Sequence, residues 1–269
     1  MTFTAVKACM SRTNWIVAGL LTVPIILSGI LGSVAQDSDA KKIFKEMANY
    51  LSTQNNVSAT FDADIEVITS ELQKIQFTNS GQLRLSRPNK LRSSRTGGYS
   101  DVELVFDGTT ARVVGRHNNT YAEINAPGSV DQLIDRLRDE YNVIMPGADL
   151  LMTRVNEVLM EDVIEAKHVG RGVIDGVECE HLAFRNAETD WQIWIERGPR
   201  PIPRKYVITS KTVTGEPQYT LRIKTWATDP SFGPDTFAFK APQGAKKVNV
   251  KELADIDEVP AGVVAGGMK

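Results

Sequence analysis

The amino-acid sequence predicts an α+β fold: one strongly curved antiparallel β-sheet, an incomplete barrel, with helices packed on its concave face. Three observations carry that expectation. Apolar and polar residues alternate with a period of two in about ten segments. Dipeptides that favour tight hairpins separate several of these segments, which makes neighbouring strands antiparallel. Helical periodicity occurs in only two places, once ahead of the strands and once among them. The regular strand–helix alternation of parallel α/β proteins is therefore absent.

Taken in order, "DSDAKKIFKEMANYLSTQ" puts Ile43, Phe44, Met47, Tyr50 and Leu51 on one helical stripe, with Asp37 or Ser38 available as cap. The period then changes. "VSATFDADIEVIT" sets Val57, Ala59, Phe61, Ala63, Ile65 and Val67 against mostly polar alternates, a long strand with one wet face. "LQKIQFTNSGQLRLSRP" reads as a hairpin through Asn79-Ser80-Gly81. Further turns are expected at Asp107-Gly108, Asn118-Asn119 and Asp175-Gly176.

A helical pair interrupts the strands at about 129–160. Its first member opens with Ser129 and Gln132 at capping-box spacing, and its second follows Pro146. The stretch "DWQIWIERGPRPIPRKYVIT" is dense in tryptophan, proline and basic residues. Trp191, Ile193 and Ile195 alternate with Gln192, Trp194 and Glu196, and Tyr206 and Ile208 alternate on the far side. Three prolines between them lack the N–H that a ladder needs. The stretch is thus two strands joined by a stiff connection. "QYTLRIKTWAT" and a short "DTFAFKAP" complete the set, and the Gly-rich tail from 251 to 269 is weakly patterned.

The N-terminus differs from the rest. Lys7 and Arg12 precede an apolar run from Trp15 to Leu31, and "GSVAQ" offers Ser33 and Ala35 in a small-x-small pattern. This is the form of a secretory signal over residues 1–35 with cleavage at Ala35, leaving one half-barrel unit over residues 36–250. An uncleaved anchor in the inner membrane is the competing reading, because the run is near the lower end of what spans a bilayer. Acidic residues (33) outnumber Lys and Arg (31), two of the cations fall in the leader, and nucleic acid is not an expected partner. Of two cysteines only Cys179 follows the leader, so the exported chain forms no internal disulfide.

Signs of catalysis are sparse. No HExxH, CxxC, GxSxG or phosphate-binding loop occurs, and no cofactor or metal is expected. Cys179 and His181 lie two apart on one strand and share a face, which permits a nucleophile with its base. Same-face neighbours on a strand are roughly 6.5–7 Å apart, however, and buried cysteine commonly fills space. Two binding features compete with that pair. Phe61, Ile65, Trp191, Ile193, Tyr219, Leu221 and Ile223 would line an apolar cavity if their strands share the concave face, filled either by helices or by a ligand. Arg84, Arg87, Lys90, Arg92 and Arg95, with no acid between them, form either a basic rim for an anionic partner or a solvated hairpin face.

The segments "RPNKLR", "VFDGTTARVV", "YAEINAPGSVDQLIDRL", "MPGADLL", "FAFKAPQGAKKV" and above all "HLAF…DWQIWI…G…P.P.K" resemble the periplasmic proteins grouped as domain of unknown function 2092. The resemblance spans nearly the whole exported chain. It implies a fold similar to the lipoprotein carrier and receptor LolA and LolB, in which a curved incomplete barrel capped by helices encloses a cavity for acyl chains. The expected function is non-enzymatic binding or carriage of a hydrophobic ligand, a lipid or an acylated protein, in the periplasm. An envelope sensor that binds a protein partner is the alternative, and a hydrolase using Cys179 and His181 a more distant one. Transient contact with the membrane surface fits either binding role.

Overall fold

The computed structural model of the protein describes residues 30–252 except residue 144. The expected leader up to residue 29 and the tail from residue 253 lie outside the described residues. Helix α1 (Ile30–Thr53) is followed by six strands, β1 (Asn56–Ile68), β2 (Lys74–Ser86), β3 (Lys90–Gly97), β4 (Asp101–Phe106), β5 (Thr110–Gly115) and β6 (Thr120–Asn125). Then come α2 (Val130–Asp139), a 3-10 turn (Ala148–Leu151) and α3 (Val155–Met160). Strands β7 (Glu165–Ile174), β8 (Val177–Arg185), β9 (Thr189–Glu196), β10 (Pro203–Ser210), β11 (Gln218–Thr228) and the two-residue β12 (Lys246–Lys247) complete the described chain.

All twelve strands belong to one curved sheet in the order β12-β6-β5-β4-β3-β2-β1-β11-β10-β9-β8-β7. Its end strands, β7 and β12, do not pair, so the barrel is not closed. Neighbours are antiparallel except β12, which runs parallel to β6. β1 is the hinge of the order, pairing with β2 on one side and with β11, the last long strand, on the other. The N-terminal half of the sheet is thereby a meander on one flank of β1, and the C-terminal half a meander on the other.

Register assigns each side chain a face. Directly paired residues point to the same side, so Leu85 and Leu91 share a face with Phe106 and Ile124, and Trp191 with Ile208 and Phe184. Both groups lie on the concave side, under the helices. α1 lays Phe44, Met47 and Leu51 among Phe184, Trp191 and Ile193, and α2 lays Leu133, Ile134 and Leu137 over the other flank. Partly buried Trp226 touches both clusters. α2 starts where the sequence places it, with Ser129 and Gln132 making both bonds of a capping box.

Four local expectations are corrected. Asn79-Ser80-Gly81 is no turn: β2 runs straight through it, paired with β1 along its whole length. The glycine serves a close approach instead, since a Cβ on Gly81 would lie 2.2 Å from Cζ of Phe61. Asp37 does not cap α1, because the helix begins at Ile30. Its carboxylate instead accepts the N–H of Ala166 at 3.1 Å and fastens the helix to the start of β7. The second member of the helical pair is split into the 3-10 turn and α3.

Finally, "DTFAFKAP" joins no sheet. Val105 and Val114 point to the convex side by register yet are buried, and the stretch around Thr236 and Phe239 passes there before the chain rejoins the sheet as β12. Arg92 donates to the carbonyl of Thr236 at 3.1 Å, while Phe239 rests against Tyr121 and under Arg112. The alternating phenylalanines are pegs, not ladder residues.

Every connection lies at one of two ends. The upper end holds the turns β1–β2, β3–β4, β5–β6, β8–β9 and β10–β11, the α3–β7 link, and the stretch of α1 around Asp37, which is bonded to Ala166. The lower end holds β2–β3, β4–β5, β7–β8 and the proline-rich β9–β10 connection.

Candidate apolar binding face

The seven residues expected to line a cavity do share one face. Phe61 pairs with Ile223 and Ala63 with Leu221, Ile65 pairs with Tyr219, and Trp191 and Ile193 sit across from Ile208 and Tyr206. The period of two on β9 holds as well: Trp191, Ile193 and Ile195 are buried, while Gln192, Trp194 and Glu196 face the convex side and are partly exposed.

The seven divide by depth. Trp191, Ile193, Leu221 and Ile223 are buried in a core that the protein's own helix fills. Trp191 stacks on Phe184 at 3.9 Å and meets Phe44 of α1 edge-on at 5.4 Å, and its Nε1 donates to Oδ1 of Asn186 at 3.1 Å. Phe61, Ile65 and Tyr219 are only partly buried. Ile65 also pairs with Phe77, and Tyr219 with Ile208, so the partly covered apolar surface lies toward the upper end. A half-open depression of about 190 Å³ lies at the end of β2 and β3, lined by Phe77, Asn79, Gly97, Tyr99 and Ser100 together with Gln76 and Thr78 of the convex side. Phe77 was hidden from sequence reasoning by the mistaken turn. Ile208 was legible as a strand residue, but its pairing with Tyr219 is non-local.

The basic run does not form a rim. Arg84 and Arg92 pair on the convex face, where Nε of Arg92 lies 2.7 Å from Glu103. Arg95 pairs with Gly81 and so faces the concave side. Arg87 is at the lower end, donating to the carbonyl of Gln54 at 3.0 Å, with Asp131 at 3.9 Å. Burial lowers its pKa, and Asp131 works against that shift. Lys90 stays exposed at the β2–β3 turn. Cations close in sequence are sent to two faces and two environments by the two-residue period.

Cys179 and His181 lie on the convex face, each engaged elsewhere. The thiol of Cys179 is wholly buried and donates weakly to the carbonyl of Val177 at 3.5 Å; burial raises its pKa. His181 stacks on Trp194 at 4.0 Å, with Nε2 2.9 Å from Oε1 of Gln192, and burial lowers its pKa. Both shifts favour a neutral thiol beside a neutral imidazole, the reverse of a thiolate–imidazolium pair. Iodoacetamide at neutral pH is therefore expected to modify native Cys179 slowly, at a rate unchanged by His181→Ala. Rapid alkylation lost in that variant would restore a catalytic role. Among the described residues no group of three His, Cys, Asp or Glu is placed to hold a metal ion, and no helix is long and apolar enough to cross a membrane.

The sequence matches none of the curated proteins. Several solved structures are similar. LprF from Mycobacterium bovis aligns with 74% of this chain and 97% of its own at 11% identity, TM-score 0.46. MucB of Pseudomonas aeruginosa, in complex with MucA, aligns with 76% of this chain and 62% of its own at 15% identity, TM-score 0.45. A putative outer membrane lipoprotein-sorting protein domain from Vibrio parahaemolyticus covers 75% and 97% at 7% identity, TM-score 0.36. At these values the likeness fixes neither ligand nor partner. The family evidence is of another order: a profile described as "Predicted periplasmic protein (DUF2092)" matches residues 40–251, from within α1 to one residue short of the last described one, and the protein belongs to that family.

Proposed function

We propose that the protein is an exported, non-enzymatic binding protein of the periplasm whose concave face takes an apolar ligand, a lipid acyl chain or an acylated protein. The observation that supports this is the partly covered apolar surface formed by Phe61, Ile65, Phe77, Ile208 and Tyr219. It continues a core that α1 already fills, so ligand would enter at the upper end rather than beneath Trp191. A further apolar chain bound there would remove more of this surface from water, at about 25 cal/mol per Å². The family's description supports the compartment. Cleavage after Ala35 is part of the same proposal.

One experiment tests ligand and processing together. Protein purified from a cell envelope is analysed by native mass spectrometry and then extracted with organic solvent. The expected result is a chain beginning at Gln36 with a lipid-sized adduct that extraction releases. A chain that carries no adduct from the envelope would remove the ligand, and a Met1-containing chain in the membrane fraction would favour the anchored form.

A second reading has its own observation. β7 is a ten-residue edge strand with Val169 and Val173 exposed, and such an edge can accept a partner's strand. The bulge between His168 and Gly170 interrupts that edge and weakens the case for a protein-binding sensor.

A further inference from the structure

Five large apolar side chains are prominently exposed among the described residues: Leu72, Tyr99, Ile164, Val169 and Val173. Two belong to the edge strand β7. The other three sit at three separate connections, β1–β2, β3–β4 and α3–β7, and all of these lie at the upper end. The lower-end turns contain Arg87-Pro88-Asn89, Asp107-Gly108, Asp175-Gly176 and the run from Arg197 to Pro201 and carry no such residue themselves; the one exposed apolar side chain near that end is Val173 on β7, beside Asp175-Gly176.

The three are held outward. Leu72 is 70% exposed at φ +64°, a left-handed conformation that turns usually give to Gly or Asn, and its N–H donates to the carbonyl of Thr69 at 3.0 Å. Tyr99, 53% exposed, is braced by Phe77 edge-on at 5.5 Å. Ile164, 68% exposed, donates its N–H to the carbonyl of Arg185 at 2.8 Å.

The chain also enters the sheet at this end. Asp37 is bonded to Ala166 at the top of β7, and α1 continues upstream from it to Ile30. In the sequence the apolar run from Trp15 ends at Leu31. At about 1.5 Å of rise per helical residue, Leu31 is roughly 9 Å from Asp37 along the axis. While that run is in a bilayer, before the proposed cleavage after Ala35, the upper end is the part of the sheet nearest to it.

We propose that the upper end is a membrane-docking surface that seats Leu72, Tyr99 and Ile164 in the interface of a zwitterionic bilayer. The proposal rests on the exported reading for the presence of that bilayer and adds to it an orientation and a lipid class. The lipid class follows from charge. Exposed acids Glu71, Glu161, Asp162, Glu188 and Glu216 surround the tips. Several cations there are already paired: Lys74 with Glu66, Arg116 with Asp101, and Lys211 with Asp190. An anionic surface would be repelled, whereas the ammonium groups of zwitterionic headgroups suit the carboxylates. Seating apolar tips in this way also points the partly covered ligand surface toward lipid.

The test uses the chain from Gln36 that the proposed processing leaves, so that the apolar leader cannot itself carry the upper end to lipid; its one cysteine, Cys179, is buried. Leu72→Cys, Tyr99→Cys and Ile164→Cys, with Arg200→Cys as lower-end control, each carry an environment-sensitive fluorophore. The proteins are mixed with phosphatidylcholine vesicles with and without doxyl-labelled acyl chains. The three upper labels should shift to the blue and be quenched at least twofold by doxyl lipid, with the control unchanged. Adding phosphatidylglycerol should reduce the quenching. Equal water exposure at all four positions would overturn the proposal, and so would a blue shift without doxyl quenching, which would mean contact with protein. Since the vesicle readout is independent of processing, an unprocessed chain in cells would fault cleavage after Ala35 and leave this result standing.

Discussion

Trp191→Ala lowers stability to urea unfolding by about 3–5 kcal/mol, the range for deleting a large buried aromatic side chain. Trp191 is 3% exposed, and its ring is enclosed by Phe184, Phe44 and Tyr206. Its indole N–H satisfies Asn186, so truncation also removes a hydrogen bond and can leave the Asn186 oxygen without that donor. The cavity would be walled by sheet on one side and helix on the other, both anchored elsewhere, and would not collapse easily. Lipid co-purifying with the variant should stay at the wild-type level, because the proposed ligand surface is higher on the face. A loss under about 1 kcal/mol would show that the site yields, as a cavity lining does, and would move ligand binding back to Trp191.

Phe44→Ala is expected to cost a similar 3–5 kcal/mol, with a different signature. Phe44 is fully buried on α1 and meets both Phe184 and Trp191 edge-on at 5.5 and 5.4 Å. Removing it takes away the helix side of the contact and leaves the sheet side intact. The helix is still held by the bond from Ala166 to Asp37 and by Met47 and Leu51, so it loosens without detaching. The variant should therefore bind more of an apolar dye such as bis-ANS than Trp191→Ala does at equal fraction folded. If both variants bound the dye equally, α1 would be an ordinary core element with no part in covering the face.

The parts of the fold legible in sequence are those set by neighbours along the chain. Alternation on β9 assigned Trp191, Ile193 and Ile195 to one face, and the Ser129–Gln132 spacing marked the start of α2, because each pattern repeats within a few residues. The failures are non-local. Asn79-Ser80-Gly81 has turn composition, but Gly81 is small on account of Phe61, a residue on the adjacent strand. Phe237 and Phe239 alternate like a strand because a peg and a ladder residue can have the same spacing. The run from Arg84 to Arg95 looked like one surface because sequence distance conceals which face each residue takes. The stripe on α1 announced a helix with an apolar side, but the sheet residues it covers are more than a hundred positions away. Whether Trp191 was cavity or core could therefore be read only once Phe44 stood against it.

The unpaired ends of the sheet have a mechanical consequence. In a closed barrel, strand number and stagger fix the radius, because the hydrogen bonds return on themselves. Here β7 and β12 never meet, so no such closure condition applies. Girth is set instead by what lies inside, through small changes of twist shared over eleven strand pairings. Such a sheet behaves as a spring clip rather than a tube: it grips contents of different thickness without breaking a ladder, and its resting width is the width of its own helices.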